Sequence, residues 1–145
     1  MSEFRSSQWY VGDDRNAYIH RAWMRRGLPD SAFDGSRPHI AIANTASDLV
    51  PCNMHLGEIA KSVANGIYEA GGIPLDLPVM GIGETQVRPT AMLWRNLAAM
   101  EMEELFRANP VDAVVLLGGC DKTVRRCSWR RLRWVCPRSW CPAAR

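Results

Sequence analysis

The sequence predicts an α/β fold: a short parallel sheet with flanking helices. Apolar, strand-like runs alternate with segments of helical period in the order strand, helix, strand, helix, strand. The best strand, Asp112-Ala113-Val114-Val115-Leu116-Leu117, is apolar on both faces, as a buried parallel strand should be. A chain of 145 residues, 47% hydrophobic and 23% charged, has material for one modest domain with a single core.

The elements follow in order. Trp9 to about Arg26 is polar and partly helical, and Gly27-Leu28-Pro29-Asp30 closes it. His39-Ile40-Ala41-Ile42-Ala43-Asn44 reads as a short strand, and Pro51-Cys52-Asn53 as a turn. From about Met54 to Glu69 an amphipathic helix is expected, with Leu56, Ile59, Ala60, Val63, Ile67 and Tyr68 at helical spacing. Ala70-Gly71-Gly72 stops it with a glycine cap. Ile73 to Val79 is extended, and Pro74 and Pro78 argue for an edge position. Thr90 to Arg107 is helical with Thr90 as N-cap, and its drifting apolar face suggests a kink or a split.

In parallel α/β folds functional groups gather beyond the C-terminal ends of the strands. Three polar segments fall there: Asn44 to Asn53, Gly81 to Arg88 and Gly118 to Thr123. They carry Cys52, Glu84 and Cys120-Asp121-Lys122, so convergent loops would gather two thiols, two carboxylates and an amine. Thiolates suit iron–sulfur or zinc, and carboxylates suit magnesium. Gly118-Gly119 permits a tight turn or a close approach to a ligand. A turn cysteine is more often an ordinary buried thiol, a loop glutamate is usually solvated, and Asp121-Lys122 also reads as an exposed pair worth under ~1 kcal/mol. His20, His39 and His55 are too dispersed for a zinc site and read as surface or packing residues.

No apolar run reaches the length of a membrane span and the N-terminus lacks an export segment, so a cytoplasmic location is expected. Five cysteines in such a chain point to thiols or metal ligands rather than a disulfide scaffold. The net charge of +3 hides two compositions. Residues 124–145 hold seven Arg, three Trp and three Cys and no acid, whereas residues 1–123 hold all 15 acids against eleven Lys and Arg.

Residues 8–123 resemble the N-terminal part of the dihydroxy-acid/phosphogluconate dehydratases (the IlvD/Edd family). The matching words are Asp14-Arg15 with Ile19-His20-Arg21, Ile42-Ala43-Asn44-Thr45, Pro51-Cys52-Asn53-Met54-His55, Glu69-Ala70-Gly71-Gly72 and Leu117-Gly118-Gly119-Cys120-Asp121-Lys122-Thr123. Gly83-Glu84-Thr85-Gln86 with Arg88-Pro89-Thr90-Ala91-Met92 looks like the sugar-acid branch, such as arabinonate or xylonate dehydratases. The resemblance implies that Cys52 and Cys120 are two of three cysteines holding a [2Fe-2S] cluster. It likewise implies that Glu84 and Asp121 bind Mg2+, together with Lys122 when that lysine is carbamylated. Such enzymes convert a 2,3-dihydroxy acid to a 2-keto-3-deoxy acid, with iron as Lewis acid for the departing C3 hydroxyl and magnesium on the carboxylate and C2 oxygen. The implied partners are a small-molecule sugar acid and further copies of the chain, as a homodimer or homotetramer, with neither membrane nor nucleic acid. A dihydroxy-acid dehydratase of branched-chain amino-acid biosynthesis is the alternative within the family.

The family's serine base and third cluster cysteine have no counterpart here, and Cys127, Cys136 and Cys141 sit too early and in the wrong context to replace the latter. On this reading residues 1–123 are a truncated N-terminal domain, an inactive fragment with apolar surface left bare. Residues 124–145 are a disordered, frameshifted tail. A GC-rich coding of that tail, read two nucleotides further in, allows PALLMAAAAVGLPAVVVSGGP, which resembles what the family writes after Cys-Asp-Lys-Thr. The rival reading is a nucleic-acid-binding tail of Arg interleaved with Trp. Zinc is disfavoured there, because C-x8-C and C-x4-C lack the usual CxxC pairs.

Overall fold

The computed structural model describes residues 4–25 and 27–119. Two short helices, α1 (Ser7–Tyr10) and α2 (Arg15–Met24), precede β1 (His39–Asn44). Then come α3 (Leu56–Glu69), β2 (Ile73–Pro78), α4 (Arg95–Ala108) and β3 (Ala113–Leu117). The Asp14 carboxylate starts α2 by accepting from the Asn16 and Ala17 amides.

The sheet is three-stranded and parallel, in the order β2-β1-β3. His39 to Asn44 pair with Ile73 to Pro78 on one side, and Ile40 to Asn44 with Ala113 to Leu117 on the other. The central strand is therefore apolar on both faces. Ala41 and Ala43 pack with Met102 and Phe106 of α4, while Ile42 packs with Leu56, Ala60 and Ile67 of α3. Helices on opposite faces of a parallel sheet make the α/β layering expected from the sequence. Ile42 and Ile73 are fully buried, each contributing about 1.5–3 kcal/mol of hydrophobic stabilisation.

Two expectations shift. Of the apolar positions on α3, Leu56, Ala60, Val63 and Ile67 form the stripe against the sheet, but Ile59 and Tyr68 are exposed. The 3.6-residue period rotates those two onto the flanks of the stripe. The second shift concerns β3, which is only half-buried over Val114 to Leu116 because it lies at an edge of the described sheet. β2 occupies the other edge, where its two prolines cost fewest ladder bonds.

The element ends follow the local chemistry. Gly71, at φ +85°, closes α3 with paired bonds from the Gly71 amide to the Tyr68 carbonyl and from the Gly72 amide to the Ile67 carbonyl. The expected split before α4 is a 3-10 turn, Ala91–Trp94, capped by the Thr90 hydroxyl accepting from the Met92 amide. Met92, Leu93, Leu97 and Met100 are exposed along this stretch. Among the described residues no helix is long and apolar enough to cross a membrane.

The N-terminal segment straps the end of the sheet opposite the loops. Arg5 donates to the Phe106 and Arg107 carbonyls at the C-terminus of α4 (2.8 and 2.6 Å). Tyr10, Phe33 and His39 stack below β1, with Tyr10 ring centroids 5.1 Å from Phe33 and 5.0 Å from His39. His39 is thus the packing residue its isolation in the sequence suggested; its Nε2 donates to the Ala32 carbonyl at 2.6 Å.

Candidate functional site

Strand order β2-β1-β3 means that the chain leaves β1 by α3 to one side and returns by α4 to the other. The two crossovers thus run on opposite faces of the sheet, and in open parallel sheets ligands bind in the crevice outside the carboxyl ends of the strands. Cys52 lies in the first of these loops, and Gly118-Gly119 begins the second.

Three loops press against one another at this end. A Cβ on Gly81 would lie 2.7 Å from the Thr45 carbonyl oxygen, and one on Gly83 would lie 2.9 Å from Val50 Cγ1. A Cβ on Gly119 would lie 2.2 Å from the Cys52 carbonyl oxygen. These glycines are needed for close approach and not for a left-handed backbone, since none of them has positive φ. The loop after β1 is the middle layer, touched from one side by the β2 loop and from the other by the β3 loop.

Asn53 stitches the arrangement together. It is wholly buried; its amide Nδ2 donates to the Thr45 hydroxyl at 3.0 Å and to the Thr45 carbonyl at 3.3 Å, and its Oδ1 accepts from the Gly119 amide at 3.0 Å. The Thr45 hydroxyl passes its own proton to the Leu117 carbonyl at 2.7 Å. Next to this buried amide, Cys52 is an exposed free thiol in the 3-10 turn Pro51–Asn53.

Glu84 is half-buried after β2, where its carboxylate accepts from the Thr90 hydroxyl at 2.6 Å and from the Ala91 amide at 3.3 Å. It therefore also anchors the 3-10 turn that leads into α4. A carboxylate offers about four lone-pair sites, so two such bonds leave acceptor capacity for a cation. A second carboxylate that the sequence did not flag, Glu101 of α4, accepts from the Met80 amide at 2.9 Å and pins the start of the β2 loop.

Of the predicted ligands, Cys52 lies on the middle loop and Glu84 on the β2 loop packed against it, while Cys120, Asp121 and Lys122 lie outside the described residues. No cluster of three or more metal-ligating side chains occurs among the described residues. The donor chemistry present still fits the two groups that the sequence implies. An exposed thiol beside a backbone approach too tight for any Cβ suits a thiolate-held cluster. A carboxylate already oriented by two donors suits a hard cation.

The family model for the N-terminal part of dihydroxy-acid/6-phosphogluconate dehydratases matches residues 37–137. The chain belongs to this dehydratase family. Its match runs past Thr123 into the Arg-rich segment. An L-arabonate dehydratase of Azospirillum brasilense is 55% identical over 120 residues, covering 82% of this chain and 20% of the relative. The 6-deoxy-6-sulfo-D-gluconate dehydratase of Pseudomonas putida is 45% identical over 144 residues, covering 99% of this chain and 25% of the relative. A dihydroxy-acid dehydratase of Pyrobaculum neutrophilum is 36% identical over 125 residues, covering 82% and 22%. The chain thus spans a fifth to a quarter of the length of these curated relatives.

The sequence motifs locate the loops and leave unmarked what holds them. Asn53 and Thr45 stand inside the Pro51-Cys52-Asn53 and Ile42-Ala43-Asn44-Thr45 words, whose chemistry points to the cysteine and not to them. The available signal was a polar pair, Thr45 and Asn53, bracketing the Cys52 loop in an otherwise apolar fold.

Proposed function

We propose that this chain forms the cluster-bearing N-terminal part of a sugar-acid dehydratase, which removes water from a 2,3-dihydroxy acid to leave a 2-keto-3-deoxy acid. The observation that carries the reading is the meeting of the Cys52 turn with the Gly118-Gly119 turn at the crevice between β1 and β3. Cys52 and Cys120 would supply two of the three cysteines that hold a [2Fe-2S] cluster, and Glu84, Asp121 and Lys122, the last when carbamylated, would hold Mg2+. When bound, the two metal centres supply Lewis acidity for loss of the C3 hydroxyl and for acidifying the C2 proton. This chain's own contribution is orientation. Thr90 and the Ala91 amide fix the Glu84 carboxylate, and the buried Asn53 fixes the turn that presents the Cys52 thiol. The sugar-acid branch is supported by the Gly83-Glu84-Thr85-Gln86 word and by the names of the relatives at 45–55% identity, against 36% for the dihydroxy-acid dehydratase.

The experiment is a chimera in which residues 1–123 replace the corresponding segment of the Azospirillum L-arabonate dehydratase. Activity on L-arabonate that disappears on Cys52→Ser is the expected result. A folded chimera without activity, or one indifferent to Cys52→Ser, overturns the reading; preference for a branched-chain dihydroxy acid would move it to the other branch. The 145-residue chain alone, reconstituted with iron, sulfide and magnesium, is expected to release no 2-keto acid, and turnover by it would refute that part of the proposal.

A further inference from the structure

We infer that Asn53 is a positioning residue that sets the spacing of the two cysteine-bearing loops, working through Thr45 and Gly119. The inference rests on the reading of Cys52 and Cys120 as joint ligands and adds to it the element that brings them together.

A chelate of two thiolates from different loops needs those loops held at a fixed distance before the metal arrives. Flexible loops would lose conformational freedom on binding and weaken it. In this fold the distance is not set by the sheet, whose ladder between β1 and β3 ends at Asn44 and Leu117. Beyond that pair, the hydrogen bonds that join the two loops among the described residues are those of Thr45 and Asn53. The Thr45 hydroxyl and amide both reach the Leu117 carbonyl, at 2.7 and 3.3 Å, extending the contact by one residue. Asn53 carries it the rest of the way: its amide nitrogen bonds Thr45 at the exit of β1, and its oxygen takes the Gly119 amide at the exit of β3.

Both ends of that bridge adjoin a cysteine. Asn53 follows Cys52, and Gly119, whose backbone amide it binds, precedes Cys120 in the sequence. Burial makes the bridge demanding. A wholly buried amide has no water to fall back on, so its donors and acceptor must be met by these partners or left unpaired at a desolvation cost. Asparagine alone among similar-sized side chains offers the donor toward Thr45 and the acceptor toward Gly119 together. Aspartate would set its oxygens against the Thr45 oxygens, and leucine would strand all three partners. Gly119 completes the device, because any side chain there would collide with the Cys52 carbonyl.

The test uses the full chain with Cys127→Ser, Cys136→Ser and Cys141→Ser, so that only Cys52 and Cys120 remain, and Co2+ as the probe. Thiolate-to-cobalt charge-transfer absorption counts the thiolates bound, a signature that fold stability by itself does not move. The parent is expected to show a two-thiolate band, halved by Cys52→Ser or Cys120→Ser. Asn53→Ala and Gly119→Ala are each expected to reduce the band to one thiolate and to weaken cobalt binding about 10–100-fold. Phe106→Leu, in the core on the α4 side, should lower the thermal midpoint and leave cobalt binding unchanged. A one-thiolate band in the parent overturns the joint-ligand reading and the positioning role with it. A two-thiolate parent whose Asn53→Ala variant binds within twofold overturns the positioning role and leaves the joint-ligand reading standing. If Asn53→Ala does not fold, Gly119→Ala decides alone: its clash falls after β3, where the turn can swing away with the described sheet intact, and unchanged binding there overturns the inference.

Discussion

Asp112 ties the N-terminal segment to the sheet, and its removal should be among the costliest single changes away from the loops. The side chain accepts three hydrogen bonds: from the Ser6 amide at 2.8 Å, from the Ser6 hydroxyl at 2.6 Å and from the His39 amide at 2.7 Å. Its own amide returns a bond to the His39 carbonyl at 2.8 Å, so Asp112 and His39 are locked in both directions at the start of β1 and β3. Ser6 and His39 are 2% and 1% exposed. Asp112→Ala leaves two buried backbone donors without an acceptor, and the Ser6 hydroxyl must rotate to another. At about 1–3 kcal/mol per stranded donor the loss is roughly 2–6 kcal/mol, drawn toward about 3 kcal/mol as water enters the vacated space. Asp112→Asn keeps one acceptor oxygen and should lose about half as much. Against a typical total of about 5–15 kcal/mol, 3 kcal/mol is a large share. Urea unfolding followed by circular dichroism, with midpoints compared at equal slope, measures it. Asp112→Ala within ~1 kcal/mol of the parent would refute the reasoning, and would mean that the strap is held by Arg5 on the end of α4 instead.

Alkaline pH should unfold the parent through Tyr10, whose hydroxyl is raised above its ordinary value of 10.0 by burial first and by the Asp112 carboxylate second. A group raised in the folded state contributes stability that is whole below the unfolded value and is lost as pH climbs through the folded one. Tyr10→Phe should therefore flatten the fall in urea midpoint above pH 10.0, and an unchanged slope would exclude Tyr10 as its cause. Thr90→Ala removes the cap on the 3-10 turn and a donor to Glu84, and should cost about 0.5–2 kcal/mol by the same urea assay. Gly71→Ala, at φ +85° with open space around it, should cost about 1–2 kcal/mol of backbone strain with no steric contribution. The proposed frame break is checked by resequencing the DNA that encodes Lys122 to Arg145: a corrected base should restore Pro-Ala-Leu-Leu-Met after Thr123, and an unaltered frame would make the Arg-rich segment genuine.

Much of the fold was legible because each signal is local. β1 was read over His39 to Asn44 from the four apolar residues Ile40 to Ala43 ahead of a polar loop, and the structure places it there. The edge position of β2 followed from Pro74 and Pro78, which lack an amide for the ladder. The Thr90 cap and the stop at Gly71 are likewise chemistry of a few neighbouring residues. What escaped depends on partners far along the chain. The two apolar faces of β3 suggested full burial, but that depends on a neighbouring strand, and within the described sheet β3 is an edge. Asp112 read as the first polar residue of a strand, and its partners lie 73 and 106 residues away.

The loop cluster shows the same division at the level of function. Cysteine announces itself because few residues can do its chemistry, so Cys52 is found from the sequence and the family words around it. Asparagine announces nothing: in a turn its usual service is to bond its own backbone, and Pro51-Cys52-Asn53 reads as such a turn. Burial changes what the residue means. A solvated turn asparagine is replaceable at little cost, whereas one with no exposed surface requires every partner to be supplied by the fold. Here those partners come from the ends of two different strands, Thr45 after β1 and Gly119 after β3. The side chain beside the Cys52 thiol thus specifies where the β3 loop must begin. It follows that the loop geometry is encoded by the amide beside the thiol and not by the thiol itself, and that substituting it should separate the presence of the thiols from their ability to act together.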